Sequence, residues 1–97
     1  MRGIIEQTLD RELMDDSLKT SYNPFKPFKE NAIIDSIESA MFATIVTVLI
    51  EVYRNIINRT RGQANIGQTV KELLEIRQIV ESRSQIIKSR IRGVANL

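Results

Sequence analysis

The segment of residues 30–61 constrains the fold most, because it contains neither glycine nor proline. Drawn as one helix it would be about 48 Å long. Its central part, Ser39–Ile50, carries no charged side chain, and its apolar residues lie nearly all the way round such a helix. A helix of this kind is buried on all sides or lies in lipid. We therefore predict an all-α fold built around a long apolar helix at 30–61.

Two other interpretations of the uncharged run are weaker. The run is bounded by Glu38 and Glu51, and it is shorter than the roughly 20 apolar residues that a membrane-spanning helix needs. A membrane partner is therefore not expected. Residues 44–50 are rich in β-branched side chains, which favour a strand. The helical pattern continues on both sides of them and no second strand segment is evident, so a helix is the better prediction.

Residues 1–20 are predicted to form a short helix with an acidic surface. Ile5, Leu9 and Leu13 are spaced by four residues, which places them on one side of a helix. Such a short helix is marginal in isolation, so we expect it to pack against the longer ones.

Residues 21–29 are predicted to form an extended linker, or strap, between helices. Pro24 and Pro27 remove backbone donors and disfavour helical conformation in the residues before them. The strap holds three of the five aromatic residues of the chain: Tyr22, Phe25 and Phe28. We favour packing of these rings on the chain's own helices, and the alternative is that they dock on another protein.

The C-terminal part is predicted to be a turn at 62–67 followed by an amphipathic helix at 68–95. The apolar seam of this helix repeats every seven residues, at Leu73, Val80, Ile87 and Val94, with charged residues such as Glu72 on the opposite side. With the helix at 30–61 it forms a long antiparallel helical hairpin in a single domain spanning 1–97.

Composition excludes several classes of function. The 97 residues include no cysteine and no histidine, which removes disulfides, thiolate zinc sites and the commonest general base at neutral pH. No glycine-rich phosphate-binding loop is present. We therefore predict no catalytic, cofactor-binding or metal site, and no enzyme. Abundant Ile and Arg, together with the absence of Cys, are typical of a thermophile-like composition.

The predicted helices are too few to cover every side of the apolar helix at 30–61. An apolar surface left uncovered marks an interface, so we expect a homo-oligomer or a subunit of a larger protein complex that completes the bundle. The predicted interface residues are Phe42, Val46, Leu49, Ile50, Tyr53 and Ile57.

Nucleic-acid binding is the alternative function, as in a small replication or transcription accessory protein. Residues 1–35 hold five basic and seven acidic groups, whereas residues 36–97 hold nine basic and five acidic groups. Arginine and lysine contact phosphate, but a net charge of +2 is small for a dedicated DNA-binding protein. The candidate contact residues are Arg54, Arg59, Arg61, Arg83, Lys88, Arg90 and Arg92.

Two of these arginines, Arg83 and Arg90, lie within the apolar arc of the predicted C-terminal helix. A guanidinium in that position needs a partner or must reach water. We favour pairing with the acidic N-terminal helix, and the alternative is contact with phosphate or with an acidic protein.

The segment from Arg83 to Arg92, Arg-Ser-Gln-Ile-Ile-Lys-Ser-Arg-Ile-Arg, resembles the closing helix of the helical domain in archaeal GINS replication subunits. The resemblance covers less than a fifth of the chain, and no residue role is carried over from it. Glu6 and Asp10 interrupt the apolar run that a secretion signal needs. We therefore expect a cytoplasmic protein, or one within a virion or another intracellular assembly, and not a secreted one.

Overall fold

Five helices follow one another in the computed structural model, which describes residues 2–60 and 66–95. They are α1 (Arg2–Glu12), α2 (Asp15–Glu30), α3 (Ile37–Thr60), α4 (Ile66–Ser82) and α5 (Ser84–Ala95). Every element in the described part of the chain is a helix, so the all-α prediction is confirmed, including the preference for a helix over a strand at 44–50.

Helix α3 is the centre of the fold, because it contacts each of the other four helices. Every fourth residue along it is buried: Ile37, Met41, Ile45, Leu49, Tyr53 and Ile57. Four residues are slightly more than one turn, so this row winds slowly round α3. The other helices complete the core with Ile5, Leu9, Leu18, Ile76, Ile79, Ile87 and Ile91.

The first predicted helix is interrupted near its middle. Helix α1 ends at Glu12, and Met14 has an extended backbone (φ −68°, ψ 146°) before α2 begins. Leu13 at this corner is buried. Because the chain changes direction here, both Leu9 and Leu18 are buried in the core. In a single straight helix the two side chains would not be expected to face the core together.

Residues 21–29 are not extended as predicted, since they lie within α2 and both prolines are inside that helix. Leu18, Tyr22 and Phe25 are spaced by four and three residues and pack on the core from one side of α2. The prolines deprive the carbonyls of Thr20 and Asn23 of their usual donors. All four of these residues are exposed, so water can bond those carbonyls while the apolar side of the helix stays buried.

A left-handed residue ends α2. Ala32 has φ 57°, its N–H donates to Lys29 O at 3.1 Å, and the N–H of Ile33 donates to Phe28 O at 2.8 Å. These two bonds are those of a Schellman motif, in which glycine normally occupies the left-handed position. An alanine there carries the steric cost of a Cβ in left-handed backbone.

The third helix therefore begins at Ile37 and not at residue 30 as predicted. Ser36 provides the start signal, because its Oγ accepts the N–H of Ser39 at 3.1 Å as an N-cap does. The prediction treated the absence of glycine and proline as continuity, whereas Ala32 supplies the turn that glycine usually makes.

Replacing Ala32 with glycine should stabilise the protein by about 1 kcal/mol, because glycine adopts positive φ without the Cβ clash. Denaturant unfolding of Ala32→Gly at fixed protomer concentration measures this gain. Ala43→Gly, on the exposed side of α3, is the matched control and should lose about 1 kcal/mol. Equal losses in both variants would contradict a strained Ala32.

The predicted C-terminal helix at 68–95 is divided at Arg83. The N–H of Arg83 is shared between the carbonyls of Ile79 and Val80, both at 3.2 Å, and the Oγ of Ser82 donates to Ile79 O at 2.9 Å. A serine hydroxyl that bonds back to the preceding turn often bends a helix. Helices α4 and α5 are therefore separated only by Arg83, and each helix packs its own residues against the core.

The predicted seam of this helix lies on the core except at its start, since Ile87 is buried and Val80 and Val94 pack against the core. In α4 the buried apolar residues are Ile76 and Ile79, whereas Leu73 is 38 % exposed. Glu72, predicted to lie on the outer side, is 3 % exposed. Both sides of α4 carry apolar residues, so sequence periodicity alone did not distinguish the inner side from the outer.

Candidate association surface

The structure divides the six predicted interface residues into two groups. Leu49, Tyr53 and Ile57 belong to the chain's own core, so assigning them to an interface does not fit this fold. The other three, Phe42, Val46 and Ile50, are half-buried at the edge of the core. The available surface of α3 is therefore narrower than the sequence suggested.

The fully exposed row of α3 is not apolar. It follows Ser39, Ala43, Thr47 and Glu51, again one every four residues. The Oγ1 of Thr47 donates to Ala43 O at 2.8 Å, so this hydroxyl is satisfied within the helix. The expectation of an apolar surface nearly all round the helix is thus corrected, because small and polar residues form the outward side.

An apolar groove lies between α3 and α4. It has a volume of about 420 Å³, and Val46 and Ile50 of α3 line it opposite Leu73 and Val80 of α4. Ile76 also contributes to the lining, and the Arg77–Glu81 ion pair, with an Nε–Oε1 distance of 2.7 Å, lies beside it. Val46 and Ile50 of α3 border solvent in this groove.

Helix α4 carries a second apolar face next to this groove. Val70, Leu73 and Leu74 are 53 %, 38 % and 48 % exposed, and their spacing of three and four residues places them on one side of the helix. They lie away from the buried Ile76 and Ile79. Leu73 belongs both to this face and to the groove, so the two form one surface, which we call the α3–α4 surface.

A second groove, of about 460 Å³, lies between α3 and α5 and has a different character. Phe42 contributes an aromatic ring to it, and polar or charged residues form most of the rest: Glu38, Ser39, Ser84 and Lys88, with Ala43. It therefore lacks the apolar continuity of the α3–α4 surface.

Three buried side chains among the described residues carry polar atoms: Thr8, Tyr53 and Glu72. Tyr53 is 2 % exposed, and its hydroxyl has no hydrogen-bond partner among the described residues. Glu72 is buried as well. Neither Tyr53 nor Glu72 was predicted to lie in the chain's own core, because both occur in helices whose buried side could not be distinguished from the outer side.

The three aromatic residues of the predicted strap are arranged on α2. Tyr22 and Phe25 pack against the core, whereas Phe28 is 43 % exposed. Phe28 is about 80° round the helix from Leu18, which places it beyond the buried side. The favoured packing on the chain's own helices is thus observed for two of the three rings.

The arginines in the apolar arc pair with the N-terminal helices. Arg83 Nη2 lies 3.5 Å from Glu6 Oε2, and Arg83 Nη1 lies 3.8 Å from Asp10 Oδ1. Arg90 donates from Nε and Nη2 to Leu13 O at 3.2 and 2.9 Å, and Nη2 also lies 3.2 Å from Asp15 Oδ1. Arg83, directly before α5, therefore pairs with α1, and Arg90 of α5 bonds to the corner between α1 and α2.

Two further candidates for nucleic-acid contact are also paired within the chain. Arg92 Nε lies 3.1 Å from Glu38 Oε2, and Arg54 Nη1 lies 3.0 Å from Glu51 Oε1. Arg59 is exposed and Lys88 half-buried, and these two are far apart in sequence.

Arg61 and most of the predicted turn at 62–67 lie outside the described residues. Among the described candidates, most positive charges are thus balanced by nearby carboxylates.

Glu81 stabilises the charged form of Arg77 beside the groove. The hydrogen bond from Arg77 to Glu81, together with the negative charge of Glu81, raises the pKa of the Arg77 guanidinium above its ordinary value. Both charges are exposed, so the pair marks a polar edge of the α3–α4 surface.

By length and composition alone, α3 is able to cross a membrane. The stretch Ile37–Arg59 has 23 residues and a mean hydropathy of 1.6, and 28 % of its most apolar window is buried within the fold. The uncharged run considered by itself is shorter than a membrane span, whereas the whole helix is not. The central helix of a water-soluble bundle passes the same test, and α3 supplies six core residues.

No cluster of three or more potential metal ligands occurs among the described residues. The α3–α4 surface offers apolar contact, with one ion pair, Arg77–Glu81, at its edge. Comparison with protein-family models, with curated protein sequences and with solved structures gives no match. What the chain does must therefore be inferred from its own surface.

Proposed function

We propose that this protein is a non-catalytic helical subunit that works by association, and that it self-associates through the α3–α4 surface. The observation that carries the proposal is the continuity of the apolar groove with the exposed face of α4. Five apolar residues from two helices line the groove, and Val70 and Leu74 extend it outward. Apolar surface of this kind on a small protein marks an interaction site.

The size of the chain supports the same proposal. A domain of about 100 residues buries only about two thirds of its unfolded surface, so additional burial in an assembly stabilises it appreciably. In this proposal the hairpin formed by α3 with α4 and α5 packs against the hairpin of another copy, which completes a helical bundle. Helix–helix contact of this sort needs no cofactor.

The nucleic-acid alternative has less support. Four of its seven candidate residues are in ion pairs inside the chain, and phosphate would have to displace the carboxylates that hold them. A net charge of +2 adds little general attraction for a polyanion.

Light scattering after size exclusion tests the proposal. We expect a discrete mass at a whole multiple of 11.1 kDa. Val46→Glu places a charge in the groove and should reduce the mass to that of a monomer, because burying an unpaired carboxylate is costly. Thr47→Glu, one residue further on the exposed row, is the matched control and should leave the mass unchanged.

Leu73→Glu provides a second variant for the case in which Val46→Glu perturbs folding, because Leu73 is more exposed. Circular dichroism establishes that each variant keeps its helices. A wild-type protein that is monomeric at all accessible concentrations contradicts the proposal. A wild-type protein that is soluble only in detergent also contradicts it, and would assign the apolar surface to lipid.

A further inference from the structure

The break between α4 and α5 lies between the two grooves along α3. Val80 and Glu81, close to the end of α4, line the α3–α4 groove. Ser84, the first residue of α5, lines the second groove. The angle between α4 and α5 therefore sets how closely α4 lies against α3, and with it the shape of the α3–α4 surface.

The core fixes α4 less firmly than α5. Between residues 70 and 82, α4 buries two apolar residues, Ile76 and Ile79, whereas the shorter α5 buries three: Ile87, Ile91 and Ala95. At the break, the N–H of Arg83 is shared between two carbonyls at 3.2 Å each, a bonding pattern that is common at helix ends. A contact other than core packing is thus needed to define the direction of α4.

The side chain of Arg83 supplies such a contact with α1. Its Nη2 lies 3.5 Å from Glu6 Oε2, and its Nη1 lies 3.8 Å from Asp10 Oδ1. Glu6 and Asp10 are four residues apart and so lie on one side of α1. Helix α1 is itself held in the core by the buried Ile5 and Leu9. We call Arg83, Glu6 and Asp10 the Arg83 cluster.

The Arg83 cluster and the α3–α4 surface respond differently to salt. The side chains of Arg83 and Glu6 are 33 % exposed and that of Asp10 is 75 % exposed, so dissolved ions screen the attraction between them. The surface is apolar, and the Arg77–Glu81 pair at its edge has no net charge. Apolar contact is not screened by ions, and sulfate or phosphate salts strengthen it.

We propose that the Arg83 cluster is a salt-sensitive switch of self-association: it holds α4 at the angle that forms the α3–α4 surface, so added salt weakens assembly by loosening a contact with α1. This inference rests on the proposed self-association and adds its regulation. Molecules whose α4 has that orientation are the ones that associate, and the apparent dissociation constant rises as their fraction falls. The switch therefore acts on the surface without being part of it.

Removing the carboxylates of α1 tests the inference. The double variant E6Q/D10N leaves Arg83 without these two charges and keeps side chains of nearly the same size. At low salt it should associate about two- to fivefold more weakly than the wild type, since exposed ion pairs contribute modestly. Between about 0.05 M and about 0.5 M sodium chloride the wild type should weaken by a similar factor, whereas E6Q/D10N should not. Sedimentation equilibrium measures these affinities.

Two further variants separate the cluster from the surface. Arg83→Gln removes the same contact from its other side, so it should associate as weakly as E6Q/D10N. The triple variant should be no weaker than either, because residues that share one contact are not additive. The control R77Q/E81Q neutralises two charges at the edge of the surface and should keep the salt response of the wild type. Circular dichroism establishes that every variant keeps its helices.

The outcomes distinguish this inference from the proposed self-association. A monomeric wild type removes both. An oligomeric wild type whose affinity and salt response are unchanged in E6Q/D10N keeps the self-association and overturns the switch. Lower stability of E6Q/D10N to denaturant with unchanged affinity also overturns it, as does a salt response that disappears in R77Q/E81Q. A salt response that is lost in both E6Q/D10N and Arg83→Gln, and kept in R77Q/E81Q, supports it.

Discussion

Replacing Leu49 with alanine should cost about 3 kcal/mol of unfolding free energy. Leu49 is 0 % exposed, and removing a fully buried leucine side chain loses its transfer free energy and leaves a cavity. Small domains have only about 5–15 kcal/mol of stability in total. Leu49→Ala should therefore unfold at a much lower denaturant concentration, as measured by circular dichroism.

The same substitution at Leu73 is the matched control. Leu73 is 38 % exposed, so Leu73→Ala should change the stability of the folded chain by less than about 1 kcal/mol. Its effect should appear in association instead. Association makes the unfolding midpoint depend on protomer concentration, so Leu73→Ala should weaken that dependence, whereas Leu49→Ala should retain it.

The opposite result would assign Leu49 to an interface between chains and not to the core of one chain. If Leu49→Ala folded as stably as the wild type while losing its oligomeric mass, Leu49 would be an interface residue, as the sequence suggested. The comparison therefore tests the placement of α3 within its own chain.

Replacing Arg90 with alanine should cost about 1–2 kcal/mol. Arg90 donates two hydrogen bonds to Leu13 O and lies 3.2 Å from Asp15 Oδ1. Hydrogen bonds from charged groups contribute about 1.5–3 kcal/mol, and we reduce that range because the side chain is 49 % exposed. Denaturant unfolding of Arg90→Ala at fixed protomer concentration measures the loss.

Two other variants show whether geometry or charge carries this effect. Arg90→Lys keeps the charge near Asp15 but lacks the planar group that binds one carbonyl twice, so it should recover only part of the loss. Arg92→Ala removes an exposed ion pair from the same helix and should cost less than about 1 kcal/mol. Equal losses in Arg90→Ala and Arg92→Ala would show that the contact with Leu13 O contributes little.

Two features of the fold could be read from the sequence. Residues 37–60 contain no glycine or proline, and their apolar residues continue at helical spacing, so their helical structure was predicted from both. The acidic N-terminal segment and the two arginines within an apolar arc predicted the pairing of Arg83 and Arg90, since a guanidinium next to apolar residues needs a nearby anion.

In α2, burial of an apolar side of the helix outweighed the local effect of the two prolines. Each proline costs a helix one hydrogen bond, and that cost predicted an extended segment. The spacing of Leu18, Tyr22 and Phe25 indicated a helix at the same place, and burial of that side on the core decided the outcome. The helical spacing was visible in the sequence. Only the tertiary contacts made it more important than the hydrogen bonds that the prolines remove.

Sequence by itself determined that this chain is helical and lacks cysteine and histidine chemistry. Only the tertiary structure decided which sides are inside. Along α3 the buried row contains Leu49 while Thr47 faces outward, and in α4 Ile76 is buried while Leu73 is exposed. A helix with apolar residues on more than one side has no single direction of hydrophobicity, so the packing of the other helices selects the buried side.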